Sequence, residues 1–272
     1  MKSTIQSSLA AAAFILVSIW GCGNGKKNAD NNVLKVGVES GPEYVVALTA
    51  QQVAKEQFGL DVELVQFNDY VMPNEALHQG DIDVNVFQNR PYLDVQAKQR
   101  GYKFAIQGNT FVFPLAGYSH KIKSVKELKD GSTIVIPNDP TNLGRALLLL
   151  QASGLLKLNP ASGLLPNATD IVSNPKNLKI LELEAPQLPR ALDDKQVTIA
   201  IINNTFATPA GLVANRDGLF MEGKESPYVN IIVSREDNKT DEKIGKFVKA
   251  YQSKEVEKVA EQEFKGGAVK GW

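Results

Sequence analysis

Strand-like alternation and helix-like spacing succeed one another along this chain. Leu34-Lys-Val-Gly-Val38 alternates as a strand does, and Pro42 beyond it suits the first position of a helix. Val45, Val46, Leu48, Val53, Ala54 and Phe58 then mark the buried side of a long helix, which Gly59 stops. Val62-Glu-Leu-Val65 is the next strand, so the opening unit reads β-α-β and predicts a parallel sheet. Phe67 to Gly80 gives a loop carrying Tyr70 and a short helix from about Pro73. Asp81 to Phe87 alternates as a third strand, and Gln88-Asn89-Arg90-Pro91-Tyr92 follows it into a helix ending near Arg100. Ligand sites in open α/β sheets lie beyond the carboxyl ends of strands, where Phe87, Asn89 and Tyr92 fall. The same aromatics also suit a core at a strand end.

Asn109 to Ser119 is extended but holds Pro114, which excludes a central ladder position and predicts a strand that leaves one sheet for another. Ser124-Val-Lys-Glu127 reads as a capping box. From Thr133 the pattern of strand and helix starts afresh, the evidence for a second lobe. Leu178–Leu183 and the apolar run Val197–Ile202 are strands of that lobe, with a helix from Gln187 to Leu192 between them. Asn203-Asn-Thr205 is a polar triplet at the end of the second strand. Ser226–Val233 is a further strand that places Asn230 on the face of Ile232, either as a satisfied core amide or as a ligand contact. Asp241–Tyr251 and Ser253–Phe264 close the chain as helices.

The stretch Ile134 to Leu150 links a β-branched run to an apolar helix through Pro137 and Pro140. Thr141 is the expected N-cap, and Leu147 to Leu150 leave no polar face, so the helix should be buried nearly all round. Its first turn, with free N–H groups and Arg145 beside it, suits a carboxylate or phosphate. An ordinary turn with Arg145 in a structural ion pair fits the same residues.

Composition narrows the function. The 272 residues suffice for one large or two medium domains, and 30 basic against 30 acidic residues give no footprint for nucleic acid. A single cysteine, Cys22, excludes an internal disulfide or thiolate cluster, and His78 and His120 lack metal-ligand spacing. No G-x-S-x-G, H-E-x-x-H or phosphate-binding glycine loop is present, so the expectation is a protein that is not an enzyme and needs no cofactor or metal.

Residues 1–22 read as a secretion signal, with Lys2 ahead of an apolar core from Leu9 to Trp20 that is short for a membrane span. Ile19-Trp-Gly-Cys22 resembles a bacterial lipoprotein cleavage box in which Cys22 takes the lipid, although Trp20 departs from the usual small residue. Residues 23–32 are polar and suit a flexible tether. The expected place is the cell envelope, anchored through the N-terminal lipid and facing the periplasm.

Longer motifs carry a family resemblance. Asn109–Ser119, Pro137–Arg145, Glu184–Arg190, Glu225–Asn230 and Gly266–Trp272 resemble the bacterial methionine-binding lipoproteins (the NlpA type), which serve methionine importers of the ATP-binding cassette class. The resemblance implies a two-lobed periplasmic binding protein, α/β and type II-like, each lobe a mainly parallel sheet flanked by helices with the ligand cleft between. Residues 33–115 and 232–272 would form lobe 1, and 116–231 lobe 2. It implies L-methionine as ligand, with permease and ATPase as partners. The methionine side chain would lie among Tyr70, Phe87, Asn89 and Tyr92. Arg145 and Asn142 would hold the carboxylate, Asn203 and Asn230 the polar end with its amino group. Family members often carry histidine where this chain has Asn89. A zwitterion needs one cation and several neutral donors and acceptors, which Arg145 and the asparagines supply, Arg145 by a bidentate grip. Thioether sulfur packs well against the aromatic edges. Two other readings compete: the same fold taking another apolar amino acid or a methionine-containing dipeptide, and a surface lipoprotein acting as adhesin or scaffold.

Overall fold

Residues 32–272 apart from 224 are described by the computed structural model; the expected leader, Cys22 and residues 23–31 of the tether lie outside the described residues. In chain order the elements of the first stretch are β1 (Val33–Glu39), α1 (Pro42–Phe58), β2 (Asp61–Phe67), α2 (Met72–Gln79), β3 (Val84–Asn89), α3 (Arg90–Arg100) and β4 (Phe104–Val112). The middle holds β5 (Ala116–Tyr118), β6 (Thr133–Pro137), α4 (Pro140–Ala152), β7 (Lys157–Leu158), β8 (Ile171–Ser173), β9 (Lys179–Leu183), α5 (Leu188–Ala191), β10 (Val197–Ile202), α6 (Asn204–Ala207), α7 (Ala214–Asp217) and β11 (Phe220–Met221). The chain closes with β12 (Val229–Arg235), α8 (Glu242–Tyr251), α9 (Lys254–Glu263) and β13 (Val269–Lys270).

Two larger sheets result. One has the order β13-β4-β12-β3-β1-β2, the other β11-β5-β10-β6-β9. The β1-α1-β2 unit is parallel in full register from Val33 opposite Asp61 to Glu39 opposite Phe67, and β1 also pairs parallel with β3. In the second sheet β10, β6 and β9 run parallel, with β5 antiparallel to β10. Pro114 sits between β4 of one sheet and β5 of the other, because proline cannot donate to either ladder. The return passes from β11 to β12, which pairs antiparallel with both β3 and β4 from Val229 onward. Expected and observed strands differ at their ends: the third strand runs 84–89 rather than 81–87, and β12 spans 229–235 rather than 226–233.

Alternation sorts each strand's residues to two faces. Ile134 and Ile136 of β6 pack with Leu147 and Leu150 of α4 and Ile199 and Ile201 of β10. Val135, Ala200 and Ile202 turn the other way onto Leu188 and Leu192. On the larger sheet Val36, Val38 and Phe111 meet Val46, Ala50 and Val53 of α1 and Phe247 and Val256 of the closing helices. Each such fully buried aliphatic contributes about 1.5–3 kcal/mol. The buried face of α1 is therefore Val46, Ala47, Ala50, Val53 and Ala54; Val45 and Leu48, expected there, are more than a third exposed because they sit on the opposite side of the helix turn. The expected capping box at Ser124–Glu127 is a single 3-10 turn: Ser124 accepts from the Lys126 amide, while the Glu127 carboxylate reaches the Lys123 amide instead of closing the box.

Candidate ligand-binding site

Local chemistry places the two polar ends of the site. After β6 the chain turns at Asp139, not Thr141: Asp139 is the N-cap of α4, its Oδ1 accepting from the Asn142 amide at 2.9 Å and its Oδ2 from Asn142 Nδ2 at 2.9 Å. Pro140 is then the first helical residue, which suits its fixed φ and missing N–H. The anion at this helix start is thus the chain's own carboxylate, and the free N–H groups expected for a ligand are partly taken. Burial holds the Asp139 carboxyl above the usual range against the hydrogen bonds from Asn142. Apart from half-buried Leu148, residues 141–150 are buried, as the unbroken leucine run predicts.

Arg145, one turn in, is 4% exposed. Its Nε donates to Glu222 Oε1 at 2.7 Å, and its Nη2 donates to Glu222 Oε2 and to the Phe113 carbonyl. The guanidinium carbon stands 4.5 Å from the centre of the Tyr228 ring. The two-pronged grip that Arg145 was expected to offer a ligand carboxylate is therefore spent on Glu222. Among the described residues Nη1 makes no hydrogen bond. Nothing in the sequence pointed to Glu222, which lies in an irregular loop 77 residues from its partner.

Opposite this wall stands an aromatic one. Tyr70, Phe87 and Tyr92 have ring centres 5.9 to 6.2 Å apart, with Tyr92 edge-on to both others. The Tyr92 hydroxyl donates to the Tyr70 carbonyl at 2.7 Å and fixes the loop that bears it. Asn89 ends β3 and caps α3, its Oδ1 accepting from the Tyr92 amide at 3.0 Å. Asparagine caps helices well, so this residue does structural duty beyond the cavity wall. Behind the strand Asn74, Asn85 and Gln88 form a buried amide network at 2.7–3.0 Å that holds the end of β3 in place.

Asn203, at the end of β10, donates through Nδ2 to Asn142 Oδ1 at 2.9 Å, while its own Oδ1 is buried and has no partner among the described residues. Asn230, in β12, donates to the Phe87 carbonyl at 3.1 Å. It is half-buried, not fully buried, and lies beside a register shift in the pairing with β3. Tyr70, Phe87, Asn89, Tyr92, Asn142, Arg145, Asn203 and Asn230 all line one cavity of about 30 Å³, together with Gln88, Phe113, Asn204 and Thr205, which sequence reasoning did not single out. Its walls come from strand ends of both sheets. Asn204 and Thr205 were legible as part of a polar triplet but had no individual signal.

Two open α/β sheets joined by Pro114 and the stretch before β12, with a polar and aromatic cavity at their strand ends, define a two-lobed substrate-binding protein. The chain belongs to the NlpA lipoprotein family, whose model matches residues 34–272. It is 62% identical over 256 residues to the D-methionine-binding lipoprotein MetQ of Escherichia coli strain K12, covering 94% of each chain. A crystal structure of the methionine-binding protein MetQ superposes with a TM-score of 0.88 at 64% identity, covering 89% of this chain and 99% of that one. A nutrient-binding protein from Burkholderia cenocepacia, solved with methionine bound, gives 0.85 at 47% identity over 88% and 100% of the two chains.

Proposed function

We propose that this chain captures methionine as a zwitterion in the cavity between its sheets and delivers it to the permease and ATPase of an ABC importer. The observation that carries the reading is the pairing of opposite walls. On one side Arg145, neutralised by Glu222, leaves Nη1 for a carboxylate, and the unpartnered Asn203 Oδ1 offers an acceptor to an ammonium. On the other side three aromatic rings suit a thioether. The buried ion pair adds no net charge, as a zwitterion requires. In this reading Asn142 assists Arg145 at the carboxylate, Asn230 joins Asn203 at the amino end, and Asn89 with Tyr70, Phe87 and Tyr92 surrounds the side chain.

The two sheets would be the cores of two lobes that close by a hinge, 33–115 with 232–272 as one lobe and 116–231 as the other. Cys22 would carry the lipid that holds the protein at the membrane, facing the periplasm; among the described residues no helix is long and apolar enough to cross a membrane. Calorimetric titration of the purified protein with L-methionine, D-methionine and leucine tests the ligand. Saturable heat with a methionine enantiomer and none with leucine is expected, and equal binding of leucine would point to a general apolar site. Asn89 is the position from which a broader ligand range would arise, since its amide replaces a ring against the thioether.

A further inference from the structure

Two acids at the junction of β1 and α1 do not line the ligand cavity. Glu39 is 1% exposed and neither of its carboxyl oxygens has a partner among the described residues. Glu43 is 3% exposed; its Oε1 accepts from the Thr205 hydroxyl at 3.0 Å, and its Oε2 has no partner among the described residues. That single bond joins a helix packed on the larger sheet to α6, which follows β10 of the smaller one. Thr205 lines the ligand cavity on one side and, with Glu39, a neighbouring cleft of about 520 Å³ on the other. The two sides approach closely here: a Cβ on Gly41 would stand 3.2 Å from Pro209 Cγ.

The charged and titratable surroundings leave the acids uncompensated. Asp69 and Tyr70 face them from the loop after β2, Tyr251 from α8, Asp139 lies beyond Tyr70 at the start of α4, and Arg190 lines the cleft from α5. Among the described residues neither acid makes a salt bridge. Burying an ionised carboxylate without a cation costs several kcal/mol, so such groups keep their protons. Burial pushes Glu39 up to about 9, with Glu43 and Asp69 adding to it, and pushes Glu43 up to about 8 against the Thr205 hydrogen bond. Burial and then the Glu43 charge also raise Tyr70 and Tyr251, which stay neutral.

We propose that Glu43, with Glu39 beside it, is a proton-dependent latch whose neutral carboxyl positions Thr205 at the cavity when the two sides close on ligand. The inference rests on the ligand reading above. In an opened molecule water reaches the acids, and they return toward their ordinary value of 4.5. A carboxyl raised in the closed form favours that form at low pH, and the advantage is lost as pH rises through the raised value. Closure therefore takes up protons between about pH 4.5 and pH 8 to 9, and affinity falls with rising pH by up to about tenfold per unit for each proton.

The test is calorimetric titration with methionine at neutral pH in buffers of differing ionisation enthalpy, repeated from about pH 5.5 to about pH 8.5. The latch predicts uptake of roughly one to two protons on binding and weakening affinity toward the alkaline end. Glu43→Gln, isosteric and neutral, should still bind at low pH with about one proton fewer taken up, and Glu39→Gln with Glu43→Gln should give a flat profile. Binding without proton uptake in the unaltered protein overturns the latch and leaves the ligand reading standing. Uptake that persists unchanged in the double variant assigns it to other groups and also overturns it. Failure to bind methionine at any pH removes the ligand reading, and the latch with it.

Discussion

Replacing Glu222 tests how the cavity holds its cation. The Arg145 and Glu222 side chains are 5% and 12% exposed, so this is a buried pair rather than a surface one. Glu222→Ala removes both acceptors from Nε and Nη2, leaving the guanidinium with the Phe113 carbonyl and the Tyr228 ring. Stripping one partner from a buried pair costs about 3–5 kcal/mol, because the remaining charge is neither solvated nor matched. For a domain of this size that corresponds to a fall in melting temperature of about 6–20 °C. Glu222→Gln keeps one acceptor but sets an amide against the other nitrogen, so a smaller loss is expected. Urea unfolding followed by circular dichroism reads both, and the slope should not change while the midpoint falls. The cavity would also gain a net positive charge, so binding should shift toward ligands that are anions rather than zwitterions. A destabilisation below about 1 kcal/mol, the size of an exposed pair, would refute the reasoning.

Other changes follow the same geometry. Asn203→Ala removes both the bond to Asn142 and the Oδ1 acceptor, and should weaken methionine binding at least about tenfold by calorimetry while costing about 1–3 kcal/mol in denaturant unfolding, because the buried Asn142 Oδ1 loses its donor. Asn89→His removes the cap on α3, so it should cost about 0.5–2 kcal/mol in denaturant unfolding. Gly144→Ala would place a Cβ 2.9 Å from the Leu164 carbonyl oxygen; α4 must shift from that loop, costing about 1–3 kcal/mol and weakening binding through Arg145 next to it.

Much of the architecture was legible because two periodicities change cleanly at proline and glycine. Pro42, Gly59 and Pro114 stand at a helix start, a helix end and a sheet crossing, where backbone chemistry alone demands them. The buried side of α1 was partly misread, since a long helix rich in small apolar residues has no sharp amphipathic stripe and burial is decided by what packs on it. At α4 the cap is Asp139 in place of the expected Thr141, because its carboxylate reaches the Asn142 amide and Pro140 fits the first turn. Of the lining residues, Gln88, Phe113, Asn204 and Thr205 carried no individual signal, while the eight others were expected from motif resemblance and strand-end position. Their supports were not: Glu222 and Thr205 act across 77 and 162 residues of chain, and no local pattern encodes such distances.

Native mass spectrometry of the purified protein, before and after denaturation and refolding, meets the central claim most directly. A ligand held between walls contributed by both sheets should survive purification, so the folded protein should carry an added mass equal to one methionine, lost on denaturation and regained on refolding with methionine. Arg145→Ala should carry none. A protein that is empty as purified and stays unliganded after refolding with either enantiomer would contradict the assignment of this cavity to methionine.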